Sequence, residues 1–245
     1  MDWQERTRLL VGDNGISHLS QATVAIIGLG GVGAYAAEMV ARAGVGRMII
    51  LDSDRVSLTN KNRQLLATDP NLDRLKTEVM AERLQSINPD LKIDARTEFL
   101  TEENVAEVLG DLTTLPRESF FLVDAIDTLA PKIALIQFCV NNQLPLVSSM
   151  GAGAKRDATQ IRLADLSKSK NCPLAYMLRK RLRKVGISKG FKVVYSEELP
   201  EREAIVPTEN ERNKKSQVGT LSYLPAVFGC VCAQAALQHL LMANS

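Results

Sequence analysis

Apolar positions along this chain follow two rhythms, and the switch between them marks out the elements. Thr23-Val24-Ala25-Ile26-Ile27 is a nearly unbroken apolar run that stops at glycine, as a strand covered on both faces does. A helical pattern follows from Val32 to Ala43, and Met48-Ile49-Ile50-Leu51 is a second buried run. Leu75, Val79, Met80, Leu84 and Ile87 recur at helical spacing and end at Asn88-Pro89. Beyond them the pattern predicts a short strand near 91–95, a helix over 102–109, a strand over 120–123, a helix over 130–141 and a strand over 146–148. Strands alternating with helices predict an α/β fold, with a largely parallel sheet and helices on both faces.

After Met150-Gly151-Ala152-Gly153 the style changes. Gln160 to Ala164 alternates as a strand, Pro173 to about Val185 reads as a basic amphipathic helix, and Phe191 to Tyr195 returns to strand. Pro200 to Gln217 is polar and aperiodic, so a mobile loop is expected there. Residues 1–165 form the expected core, and residues 166–245 a mixed C-terminal extension that completes the same domain. The apolar stretch from Leu221 to Met242 approaches the ~20 residues that span a bilayer. Gln234, Gln238 and His239 interrupt it, and Pro225 and Gly229 stand near its start. It reads as a buried or interface helix beginning at Pro225, with no stable membrane insertion.

The chain of 245 residues, 45% hydrophobic and 24% charged, has the composition of an ordinary soluble globular protein. Its first residues carry no secretory signal, which points to the cytoplasm. Cys139, Cys172, Cys230 and Cys232 are too few and scattered for a disulfide framework. The small net charge hides a segregation: Ser167 to Lys192 holds many lysines and arginines and no acid, while the rest is acidic. An anionic partner is implied.

Gly28-Leu29-Gly30-Gly31-Val32-Gly33 lies between the first strand and its helix. There glycine lets the backbone approach phosphate, and the helix N-terminus favours negative charge. Asp52 ends the second strand at the offset of a carboxylate that holds ribose hydroxyls. The pair reads as a Rossmann-like nucleotide site, whose usual owners are dinucleotide oxidoreductases. Arg63, Lys76 and Asp127 add cations and a carboxylate of the kind nucleotidyl transfer needs over phosphates and metal. Taken singly, the two cations read as solvated charges and Asp127 as a helix cap.

Asp52-Ser53-Asp54-Arg55-Val56, Asn60-Lys61-Asn62-Arg63-Gln64, Lys76 and Val123-Asp124-Ala125-Ile126-Asp127 stand in an order that resembles the ubiquitin-activating-enzyme superfamily, which includes the thiamine- and molybdopterin-pathway adenylyltransferases. The resemblance covers roughly residues 6 to 165. It implies ATP as nucleotide, bound along Gly28, Gly30, Gly31, Gly33, Asp54 and Gln64 with its ribose on Asp52. Asn60, Arg63 and Lys76 would then contact the triphosphate, Asp127 would hold Mg2+, and Arg6 would reach the triphosphate of a homodimer partner.

Glu5 to Gly12, Ile126-Asp127-Thr128 with Pro131-Lys132, and Gly151-Ala152-Gly153 look like the superfamily branch that dehydrates threonylcarbamoyladenosine in tRNA. That branch implies adenylation of a threonyl carboxylate and ring closure by the carbamoyl group, with no enzyme nucleophile. Arg179, Lys180, Arg183 and Lys184 would face outward to bind the tRNA backbone, with Leu174, Met177, Leu178, Leu182 and Val185 packed inward. Cysteine-desulfurase or sulfur-acceptor proteins are possible further partners. The alternatives are adenylation of the C-terminal glycine of a ubiquitin-like sulfur carrier, and a nicotinamide-dependent dehydrogenase or nucleotide-binding module.

The superfamily's paired zinc motifs are missing, and Cys230-Val231-Cys232 reads as two buried small residues on the last helix. Cys172 reads as a bystander, a nucleophile only if a neighbour lowered its pKa. His18 and His239 receive no role, and Trp3 reads as a packing residue.

Overall fold

A computed structural model describes residues 2–207 and 216–242. Helix α1 (Glu5–Gln21), kinked at Gly12, leads into strand β1 (Thr23–Ile27), helix α2 (Gly33–Arg42) and strand β2 (Arg47–Leu51). Helix α3 (Lys76–Ile87), strand β3 (Lys92–Arg96), helix α4 (Val105–Leu109), strand β4 (Phe120–Asp124), helix α5 (Leu129–Asn141) and strand β5 (Leu146–Ser149) follow. Strand β6 (Ile161–Asp165), helix α6 (Pro173–Leu182), strand β7 (Lys192–Ser196), the short strands β8 (Ile205–Pro207) and β9 (Ser216–Val218), and helix α7 (Tyr223–Met242) complete the order.

Seven strands form one sheet in the order β3-β2-β1-β4-β5-β7-β6. All pairs are parallel except β6 with β7. Because strand side chains alternate, Val24 and Ile26 join one apolar core beneath α2, α3 and α7, whereas Ala25 and Ile27 join the other beneath α4, α5 and α6. The strand order reverses between β1 and β4. In open α/β sheets that switch point opens a crevice at the carboxyl ends of the strands. Here it is flanked by the turns after β1, β2 and β4.

Buried Glu38 on α2 accepts from Arg42 Nε (2.9 Å) and from Arg83 Nε of α3 (2.6 Å), fixing α3 and its first residue, Lys76, against α2. Helix α7 is apolar and long enough to cross a bilayer, yet it packs as a core helix on α2, β4 and β5. It begins at Tyr223, ahead of Pro225, because proline is tolerated in a helix's first turn.

Several expectations change. The helix expected over 102–109 starts only at Val105: Thr101 and Asn104 exchange backbone-to-side-chain hydrogen bonds (2.7 and 3.3 Å) and hold the preceding residues in a turn. The polar stretch 200–217 is not loop throughout. It contains the β8–β9 hairpin, tied to the turn after β5 through Ala154 N–H to Gly219 O and Glu201 N–H to Ala154 O (both 2.8 Å). The rest of the expected mobile loop, 208–215, lies outside the described residues. Helix α6 ends at Leu182, short of the expected Val185, and buries Ala175, Leu178 and Leu182; Met177 on the helix and Val185 in the turn after it are 38% and 49% exposed, so the inward face is narrower than the periodicity suggested. Cys230 is exposed and only Cys232 of that pair is buried; Cys172 is buried, its Sγ accepting from Ala175 N–H at the start of α6 (3.5 Å). Trp3 is half exposed and shares a surface cavity with Arg42, Ser86 and Ile87, where the N-terminal arm meets α2 and α3.

Candidate active site

The site begins at the turn after β1. Gly28 has φ +94°, and a Cβ there would lie 2.9 Å from Ala125 O, in the turn after β4. At Gly33 a Cβ would lie 1.7 Å from Gly28 O. Only glycine at both positions lets the strand turn this sharply into α2. Gly30 and Gly31 form the half-buried rim between them.

Asp52, at the end of β2, closes the other side of this turn. Its Oδ2 accepts from Leu29 N–H (2.6 Å) and its Oδ1 from Asp54 N–H (2.8 Å). Burial pushes the Asp52 carboxyl above the usual range, against the pull of the nearby Lys76 ammonium. Lys76 is itself buried, with Nζ 2.8 Å from Asp54 Oδ2 and 3.8 Å from Asp52 Oδ2. Hydrogen bonds between the segments around Asp54 and Lys76, including Lys76 N–H to Asp54 O (3.1 Å), set the lysine where it bridges both acids.

Asn60, Arg63 and Gln64 occupy one compact turn. Asn60 Oδ1 accepts from Ser57 N–H (3.2 Å), and Asn60 O accepts from the backbone of Arg63 and Gln64 (3.1 and 2.9 Å). The Arg63 guanidinium donates to Thr59 O (3.1 Å) and Asn62 Oδ1 (2.8 Å). This turn abuts the glycines: a Cβ at Gly31 would meet Arg63, and one at Gly30 would lie 3.7 Å from Gln64 Nε2. Asp127 is exposed just past the end of β4, beyond the Ala125 that touches Gly28. A glycine turn, a buried lysine, an arginine and three acids therefore share one edge of the sheet, a combination suited to holding and reacting a phosphate chain.

The family model described as the ThiF family matches residues 4–245. The chain belongs to the ThiF family. Over 201 residues, 80% of this chain and 74% of its relative, it is 41% identical to a tRNA threonylcarbamoyladenosine dehydratase of Bacillus subtilis (strain 168). Solved structures of the E. coli tRNA N6-threonylcarbamoyladenosine dehydratase in complex with AMP and with ATP superpose with TM-scores of 0.85 and 0.86, at 36% and 35% identity. Each alignment covers 99% of this chain and 96% of the solved one.

Arg6, expected at the triphosphate of a homodimer partner, stands apart from this ThiF-family chain's own glycine turn. Arg6 is exposed on α1, and Gln4 beside it donates from Nε2 to Ala43 O (3.4 Å) at the C-terminal end of α2, opposite the glycine turn. Among the basic residues of α6 and the turn after it, Lys180, Arg183 and Lys184 are exposed as expected. Arg179 is not turned outward: its guanidinium donates to Ser169 O (2.6 Å) and to Ser169 Oγ, pinning the preceding loop.

The sequence reading gave no role to a buried cluster behind Asp127. Asp124 and Lys132 are fully buried, with Lys132 Nζ 2.7 Å from Asp124 Oδ2. Ser148 Oγ lies 2.6 Å from the same oxygen. Lys132 Nζ also donates to Ile126 O (2.8 Å), and Ile126 N–H donates to Asp124 Oδ1 (3.1 Å). One signal was available: Lys132 is the one charged residue of the largely apolar α5, and a buried lysine needs a partner.

Proposed function

We propose that this chain uses ATP to dehydrate N6-threonylcarbamoyladenosine in tRNA to its cyclic form. The free threonyl carboxylate attacks the α-phosphorus of ATP and pyrophosphate leaves. The carbamoyl group of the same nucleoside then closes on the acyl carbon and AMP leaves. Nucleophile and electrophile belong to one substrate, so binding in a closed geometry supplies much of the second step. The observation that carries the reading is the convergence of glycine turn, Asp52, Lys76 and Arg63 on one sheet edge, in a chain 41% identical to a dehydratase of this kind.

In this reading Asp52 accepts from the ribose hydroxyls. Asp54 and Gln64 border the nucleotide, and Asn60, Arg63 and Lys76 contact the triphosphate. Lys76 would exchange its Asp54 partner for phosphate oxygens and bring its charge to the leaving pyrophosphate. Asp127 suits Mg2+, which takes one or two carboxylates and fills its remaining positions with phosphate oxygens and water. Bound there, the ion would neutralise the charge that builds on the phosphates.

Lys180, Arg183 and Lys184 would hold the tRNA backbone. The site would be shared in a homodimer, with Arg6 serving the partner's triphosphate. Leu9 and Leu10, 84% and 86% exposed on the same helix as Arg6, support a second copy there. A tRNA substrate places the work in the cytoplasm.

The test is nucleotide release. With ATP and tRNA carrying the modified adenosine, AMP and pyrophosphate should appear one for one with loss of water from the nucleoside. Turnover with a ubiquitin-like sulfur carrier, and none with tRNA, would overturn the assignment.

A further inference from the structure

We infer that the buried Asp124–Lys132 pair is a positioning device that sets Asp127 at the phosphates, an inference that rests on the reading of Asp127 above. A fully buried ion pair is expensive. Desolvating two charges costs several kcal/mol each, and an apolar pair of similar volume is often as stable or more so. Core stability alone therefore gives no reason for this pair.

Its hydrogen bonds do. Lys132 Nζ is anchored on Asp124 Oδ2 (2.7 Å) and holds Ile126 O (2.8 Å), while Asp124 Oδ1 holds Ile126 N–H (3.1 Å). Both polar groups of the residue next to Asp127 are thus clamped from below. Ser148 on the neighbouring strand keeps Asp124 Oδ2 in place (2.6 Å), and Ala125 N–H donates to Ile27 O (2.8 Å). The clamped turn bears directly on Gly28, where a Cβ would sit 2.9 Å from Ala125 O. The pair thereby couples the place of Asp127 to the turn that would cradle the phosphates. Removing it frees a turn whose displacement by about 1 Å can cost on the order of a hundredfold in rate.

The decisive variant is Asp124→Leu with Lys132→Met, which keeps the core filled and leaves no unpaired charge. It is expected to melt close to wild type and to keep its affinity for ATP measured without Mg2+. It should lose the gain in ATP affinity that Mg2+ confers, so that KM for ATP rises toward the Mg2+-free affinity, and its kcat should fall on the order of a hundredfold. Added to Asp127→Asn, it should cost almost nothing further, because both changes act through one group. A purely structural pair predicts the reverse: once stability is restored, kcat and the Mg2+ effect return, and that result overturns the proposal.

If the double variant does not fold, Ser148→Ala is the second probe. It removes one hydrogen bond to Asp124 without changing charge and should lower kcat several-fold and diminish the gain in ATP affinity that Mg2+ confers. An unchanged kcat overturns the proposal equally. Asp127→Asn alone separates the two ideas. Full activity in that variant removes Asp127 from the site, whereas a dead Asp127→Asn beside a normal Asp124→Leu/Lys132→Met sinks only the positioning role.

Discussion

The Asp52 side chain is only 10% exposed, and burial holds its carboxyl above the usual range. A carboxyl with a raised folded-state pKa favours the folded state below its unfolded pKa and forfeits that stability as pH rises through the folded value. At neutral pH the charge is thus carried at a cost. Asp52→Asn should melt no lower than wild type near pH 7, and the wild type should close the gap as pH falls toward the carboxylate range; thermal scans across pH check both. The same variant should weaken ATP binding about tenfold or more by calorimetry, since hydrogen bonds to charged groups are worth about 1.5–3 kcal/mol. Gly33→Ala places a methyl against Gly28 O. It should cost at least about 1–3 kcal/mol of stability, measured by urea unfolding, with ATP binding lost as well. Asp127→Asn and Arg63→Ala should each slow pyrophosphate release by about a hundredfold or more while leaving circular dichroism unchanged. The glycine turn and Asp52 were legible in the sequence because local spacing encodes them. The Asp124–Lys132 pair was not, because its meaning lies in Ser148 and Ile126 closing around it in space.

β1, β2 and β4 could be read from the chain because they are buried along nearly their whole length, whereas α4, five residues long, was misjudged at its start. The β8–β9 hairpin could not, since three-residue strands hold no period to detect. On α6 and the turn after it the period was present but misjudged: Met177 on the helix and Val185 in the turn are exposed, outside the face that packs on α5. The helix and the turn after it carry cations of two kinds. Reversing Lys180, Arg183 and Lys184 to glutamate should weaken tRNA binding and flatten its dependence on salt, by a slope of about 0.7–0.9 for each phosphate no longer neutralised, with ATP affinity kept. Arg179→Glu should act differently, because its guanidinium ties down Ser169. Its expected signature is a lower melting temperature. Filter binding across a salt series, beside thermal scans, separates the two.

Across the whole molecule, Arg6 stands at the opposite end of α2 from the glycine turn, so any role at a triphosphate belongs to another copy's site. Mixing inactive Arg6→Ala chains with inactive Asp127→Asn chains should restore part of the activity, through dimers that hold one intact site. No recovery in verified mixed dimers would assign Arg6 no such role. Helix α7 carries a different consequence. It covers α2 and the β4–β5 part of the sheet, yet about 180 residues separate the end of α2 from its start. At roughly 5–20 residues per second, a ribosome leaves about ten to forty seconds between making the two. Throughout that interval the nascent chain displays Ala36, Ala37 and Val40 with no Phe228 or Cys232 to meet them. That face stays uncovered until α7 emerges, so slowing translation between the codons for α2 and α7 should lower the soluble yield.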